Sequence, residues 1–212
     1  MTDAIDELEE VKRDVGTRRL PDGEGRTVMI TRTYSAGVEE VWDACTNPER
    51  IPRWFLPVSG DLRLGGHYQL EGNANGTIEL CEPPRRLSAT WEFGGMVSWI
   101  ELRLDEEAHG RTRLQLTHIT PAQDDGHWAQ FGPGATGVGW DLALMGLGRH
   151  LSSGERVDPD QAAAWSASEE GREFISLCSR RWGEAAIAAG APADAARAAA
   201  GQTTAFYLGE TE

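Results

Sequence analysis

Between residues 60 and 119 apolar and polar side chains alternate with a period of two. Tyr68 and Leu70 are set among His67, Gln69 and Glu71; Ile78 and Leu80 among Thr77 and Glu79; Leu87, Ala89, Trp91 and Phe93 among Ser88, Thr90 and Glu92. The same rhythm runs through Ile100, Leu102 and Leu104, then through Leu114, Leu116 and His118. Alternation of this kind belongs to strands covered on one face. The interruptions GNANG, EPPRR, FGGM and DEEAHGR are short and rich in turn residues, so the pattern predicts an antiparallel meander with one apolar face.

The flanking segments carry helical spacing. Val38, Val41, Trp42 and Cys45 fall at i, i+3, i+4 and i+7 and predict one short amphipathic helix. Asn47 and Pro48 then read as a helix start, but Pro52 lacks the amide that a continuing helix needs, so the second helix is short or bent around Trp54 and Phe55. In GWDLALMGLGRHL, the stripes Trp140, Leu144, Leu147, Leu151 and Val138, Leu142, Met145 predict a long helix that closes over the sheet. GPGATGVGW reads as the loop that opens this helix, with Asp141 at the helix N-terminus, where a negative charge is favourable. Beyond it, Asp158 and Pro159 cap a helix toward residue 189, with a break near Gly171 and a stripe of Phe174, Leu177, Cys178 and Trp182. A last alanine-rich helix is expected over 192–207. At the other end, Ile5, Leu8, Val11 and Val15 predict a short helix or a frayed arm between Thr2 and Gly16, and the turn P-D-G predicts a hairpin leading into a strand over 27–34.

Composition narrows the function classes. A formal net charge of −14 on 212 residues repels phosphate backbones and anionic lipid surfaces, which argues against nucleic acid and membrane as partners. The three cysteines, Cys45, Cys81 and Cys178, form no close pair, which fits a reducing, cytoplasmic setting. No run of eighteen apolar residues occurs, and the N-terminus is acidic, so neither an anchor nor an export signal is expected.

The stretches RTYSAGVEEVWDACTNPERIPRWF, LRLGGHYQL, GTIELCEPPRRLSATWEF and GRTRLQLTH, followed by the closing helix, resemble the SRPBCC (START-like) superfamily. Within it they are similar to the family named for the activator of the heat-shock protein 90 ATPase. The resemblance covers 27–153. It implies an α+β helix-grip fold, a curved antiparallel sheet wrapped around a long closing helix, with an apolar cavity between them that holds hydrophobic small molecules in many members. The expected organisation is an N-terminal arm and hairpin lead-in over 1–25, the helix-grip domain over 26–153 and a C-terminal helical extension over 154–212. The helical additions are candidates for a homodimer contact.

Chemistry is sparse. The five histidines, His67, His109, His118, His127 and His150, sit on separate predicted elements without i+3 or i+4 spacing, which offers no metal site, and no nucleotide or nucleophile motif occurs. No cofactor is expected. Glu92 and Glu101 lie out of phase with the apolar face and are expected in solvent, which leaves no acid–base pair. Trp99 shares that outer phase. The expected ligand wall is Trp54, Phe55, Tyr68, Trp91, Phe93, Ile100, Trp140 and Leu144, with polar contacts from His118 and Arg32, which share the inward phase of their strands. The favoured function is binding of a hydrophobic or amphipathic small molecule. The alternatives are a cyclase- or aromatase-like enzyme in which His118 moves a proton, and a chaperone-regulator-like interaction protein with a closed core.

Overall fold

The structure, a computed structural model, describes residues 8–122 and 126–210. Among the described residues eight strands form one sheet: β1 (Lys12–Leu20), β2 (Gly23–Tyr34), β3 (Val58–Gly60), β4 (His67–Leu70), β5 (Asn75–Glu82), β6 (Arg86–Phe93), β7 (Met96–Glu107) and β8 (Arg111–Pro121), in the order β1-β2-β8-β7-β6-β5-β4-β3. The helices are α1 (Val38–Thr46), α2 (His127–Phe131), α3 (Gly134–Ser153), α4 (Pro159–Ala167), α5 (Glu169–Ala188) and α6 (Ala193–Tyr207). An antiparallel sheet, one long helix and extra C-terminal helices make this the helix-grip fold. The contacts group the chain into two compact units, whose boundary falls within β2 and within α3.

One unit comprises Thr31–Pro121 and Ala143–Val157. Its meander matches the alternation: Ala89 pairs with Ile100 and Ile100 with His118, while Leu102 pairs with Leu87 and Leu116, so all these side chains share one face. A register shift between Ile78 and Leu80 turns Cys81, opposite Leu87, onto that face in place of Leu80. Val38, Val41, Trp42 and Ala44 are buried on α1, which packs on β7 and β8. The second short helix is reduced to the single turn Ile51–Arg53 with Pro52 inside it. Asn47 caps the approach to that turn by accepting from the Glu49 amide at 2.9 Å.

The other unit comprises Met1–Ile30, Ala122–Leu142 and Asp158–Glu212. Here the sequence reading needs correction at three places. The segment expected as a short helix or a frayed arm has one 3-10 turn, Leu8–Glu10, and is strand β1 from Lys12 onward; Thr2 and Ile5 lie outside the described residues. Arg13, whose side chain is 3% exposed, occupies an inward strand position and hides the alternation Val11, Arg13, Val15. The glycine run is helix, not loop, since α3 begins at Gly134. A Cβ at Gly134 would lie 2.5 Å from Thr203 Oγ1, and one at Gly137 would lie 2.2 Å from Trp182 Cε2, so these glycines admit α6 and α5 against α3. Asp141 consequently stands in the second turn of α3 or beyond, fully buried, and not at a helix start. The C-terminal helices form where expected: Asp158 caps α4, Ser168 caps α5, and Phe174, Cys178 and Trp182 lie on the buried stripe of α5, joined by Ile175, whereas Leu177 is only half-buried. The chain turns from α4 into α5 at Ser168, and Gly171, in the first turn of α5, leaves room for the Trp165 carbonyl at the end of α4.

Candidate functional site

On the inner face of the meander, Tyr68, Leu70, Ile78 and Ala89 are buried together. Phe55, Leu56, Val58, Cys81, Leu87, Trp91 and Ile100 pack against them yet remain only half-buried. An apolar wall is therefore left partly uncovered on the face that a globular core would ordinarily seal. Of the expected wall residues, the structure brings Phe55, Tyr68, Trp91 and Ile100 into this group. Tyr68 anchors it from beneath, its hydroxyl donating to the Thr90 carbonyl at 2.7 Å.

The polar feature of the wall is a pair. His118 is 8% exposed and Ser98 7%. Nε2 of His118 lies 2.9 Å from Oγ of Ser98, and the Ser98 hydroxyl donates to the Trp91 carbonyl at 3.0 Å. The Trp91 and His118 rings meet edge to face with centroids 5.8 Å apart. Burial pushes the His118 pKa down to about 4, because the charged imidazolium would lose its hydration. Ser98 is the partner that the sequence reading missed. Its signal was a small hydroxyl residue in the inward phase, two positions before Ile100.

The remaining expected residues are placed as follows. Trp54 is buried, stacks on Phe55 at 5.5 Å between centroids, and donates from Nε1 to the Ala44 carbonyl at 2.9 Å. Its own carbonyl presses on α3 where Gly146 has no side chain, since a Cβ there would lie 2.7 Å away. Leu144 is buried, and its carbonyl accepts from the Tyr34 hydroxyl at 2.9 Å and from Arg32 Nη1 at 3.4 Å. Arg32 thus reaches α3 and lies over the Tyr34 ring at 5.3 Å. Phe93 is 57% exposed at the tip of the β6–β7 hairpin, beside exposed Met96 and Val97, so it stands outside the half-buried group. Trp140 is buried in the other unit. Trp99 pairs with Ile119 on the outer face, and Glu92 and Glu101 are half-buried there instead of fully in solvent. Glu92 accepts from Thr90 Oγ1 at 3.0 Å and borders an open, polar groove of about 480 Å³ shared with Gly60, His67, Tyr68, Gln69, Asn75 and Gly76.

A second polar centre, in the other unit, was not anticipated. Asp141 accepts from Arg13 Nη2 at 2.6 Å, from Arg13 Nε at 3.3 Å and from Trp182 Nε1 at 2.8 Å. Burial pushes its carboxyl up, opposed by the Arg13 charge and by these hydrogen bonds, while the adjacent Cys178 thiol is pushed up by burial and by Asp141. A buried thiol so disfavoured as thiolate is no nucleophile, and every oxygen of Asp141 is engaged. This is a structural pin. Among the described residues no group of three His, Cys, Asp or Glu is placed to hold a metal ion, and no helix is long and apolar enough to cross a membrane.

Comparison with known proteins follows the same architecture. Residues 35–152 match the profile of the family described as activator of Hsp90 ATPase homolog 1-like protein. The crystal structure of CalU16 from Micromonospora echinospora is 39% identical, with a TM-score of 0.61, over 81% of this chain and 98% of that one. Its solution structure is 37% identical with a TM-score of 0.70, over 84% and 96%. DynU16, from the dynemicin biosynthetic locus, is 26% identical with a TM-score of 0.54, over 62% of this chain and 50% of that one. No match was found among curated proteins.

Proposed function

The chain belongs to the family of activator of Hsp90 ATPase homolog 1-like proteins, and from that premise we propose that it binds a hydrophobic or amphipathic small molecule on the inner face of its meander. The observation that carries this reading is the apolar wall of Phe55, Leu87, Trp91 and Ile100, half-buried where the protein's own core would otherwise close. A ligand seated there removes that surface from water and gains about 25 cal/mol per Å² of apolar area covered. The place of DynU16 in a biosynthetic locus supports a natural-product-like ligand, which fits a wall of aromatic and aliphatic carbon with one polar pair. His118 supports binding over proton transfer. A base with a pKa of about 4 is a weak proton acceptor at neutral pH, and its Nε2 is already committed to Ser98.

The test is titration of tryptophan fluorescence with naphthol, a small aromatic probe, in the native chain and in Ile100→Trp, which fills the uncovered wall. Saturable quenching in the native chain that is lost in Ile100→Trp, with folding intact by circular dichroism, is the expected result. Equal binding by both would place the probe elsewhere and overturn the reading.

A further inference from the structure

The inner face of the meander continues past the half-buried wall. In the pairing of β6 with β7, Ala89 faces Ile100, Trp91 faces Ser98 and Phe93 faces Met96, so Phe93 and Met96 extend the inward positions to the hairpin tip. Among the large side chains of this row, Leu87, Trp91 and Ile100 are half-buried, while Phe93 and Met96 at its end are 57% and 50% exposed. From Leu87 to Phe93 the row runs about 20 Å at the rise of an extended strand.

The tip is more apolar than a hairpin turn in water requires. No charge occurs from Phe93 to Ile100, in a chain of which 25% is charged. Gly94 and Gly95 turn at φ 60° and 79°, a turn that Asn-Gly or Asp-Gly makes equally well with a polar surface. Among the described residues, a Cβ on either glycine would meet nothing within 4 Å, so no packing demand keeps the turn apolar.

We propose that the ligand is an elongated apolar molecule of about 20 Å, with one end on the wall of Leu87, Trp91 and Ile100 and the other along Phe93 and Met96, which select for length. This rests on the binding reading above and deepens it. A compact one-ring molecule would leave the tip in water, whereas an extended one covers both stretches of a single continuous face. The end of the row suits a chain of varied shape: the Met96 thioether is flexible and polarizable, and the Phe93 ring offers flat carbon. At 57% exposure the Phe93 ring leaves roughly 100 Å² of carbon in water, and covering half of it is worth about tenfold in affinity. Because both residues are exposed, replacing them removes this gain with little effect on the fold.

The experiment compares the methyl and octyl ethers of naphthol, which differ only in the length of the alkyl chain, by naphthyl fluorescence anisotropy in the native chain and in the double variant Phe93→Ser with Met96→Ser. The octyl ether is expected to bind the native chain more tightly, and the octyl-to-methyl affinity ratio to fall about tenfold in the double variant while its circular dichroism stays native. The general hydrophobicity of the longer chain is the same for both proteins and cancels in the comparison. Should the double variant fail to fold, the same ratio measured in Phe93→Ser alone decides, with a several-fold fall expected. An unchanged ratio overturns the inference while leaving hydrophobic binding intact. So does a native dimer, or attachment to neutral lipid vesicles, that the double variant abolishes without changing the ratio, since the tip then serves a second copy or a lipid surface. If neither ether binds the native chain, the binding reading fails and the inference falls with it.

Discussion

His118 should make the fold acid-sensitive well above the carboxylate range. Its pKa is pushed from an ordinary 6.5 to about 4 by burial. Above pH 6.5 the imidazole is neutral whether the chain is folded or not. As the pH falls from 6.5 toward 4 the unfolded chain takes up a proton that the folded chain refuses, so stability is lost across that window. Each unit between the two values is worth about 1.4 kcal/mol, which gives a loss of about 2 kcal/mol from pH 7 to pH 5 and about 3 kcal/mol once the folded value is passed. Asp43 and Asp105, held below the usual carboxylate range chiefly by hydrogen bonds from Arg50 and Arg113, lose their contributions only at lower pH. Urea unfolding at pH 7 and pH 5, followed by circular dichroism, measures the loss in the native chain and in His118→Phe. The variant should lose about 2 kcal/mol less over the same interval, whatever its stability at pH 7. An NMR titration of the imidazole gives the same answer without substitution. A ring that titrates near 6.5, or equal losses in both chains, would refute the buried, serine-bonded neutral imidazole.

Two further substitutions probe the framework. Asp141→Ala strands the buried Arg13 guanidinium and should cost about 3 to 5 kcal/mol by urea unfolding, whereas the pair Arg13→Met with Asp141→Leu should recover most of it; a single-variant cost within about 1 kcal/mol would mean that the pin carries little. Trp54→Ala removes a buried ring and its bond to the Ala44 carbonyl and should cost about 3 to 5 kcal/mol, with Trp54→Phe costing visibly less; equal costs for the two would deny the ring's packing role.

Local pattern was sufficient where neighbours in space are neighbours in sequence. Strands β4 to β8 pair with adjacent strands, so their alternation reported their inner face directly, down to the inward phase of His118. Reading failed where the partner lies far along the chain. Arg13 gives no inward signal of its own, because its carboxylate partner is 128 residues away, and its charge breaks the alternation that marks β1. Gly134 and Gly137 looked like loop because the side chains that require them, Thr203 and Trp182, come from helices that the glycine run does not announce. The candidate site was legible as an apolar wall. Ser98 showed only its inward phase there, because its pairing with His118 and with the Trp91 carbonyl depends on how three strands register and not on its residue type.

The buried contact between Asp141 and Trp182 also bears on how such a chain can be divided. The family profile ends at residue 152, yet Asp141 and the notch at Gly137, both inside the matched region, are completed by an indole thirty residues beyond its end. A chain cut at that point would keep the aspartate and lose the group that shares it, leaving an open slot where the indole edge had been. Inheritance and cooperativity thus draw different borders in this protein. An expression clone, a domain swap or a chimera designed on the family border would sever the buried hydrogen bond between Asp141 and Trp182.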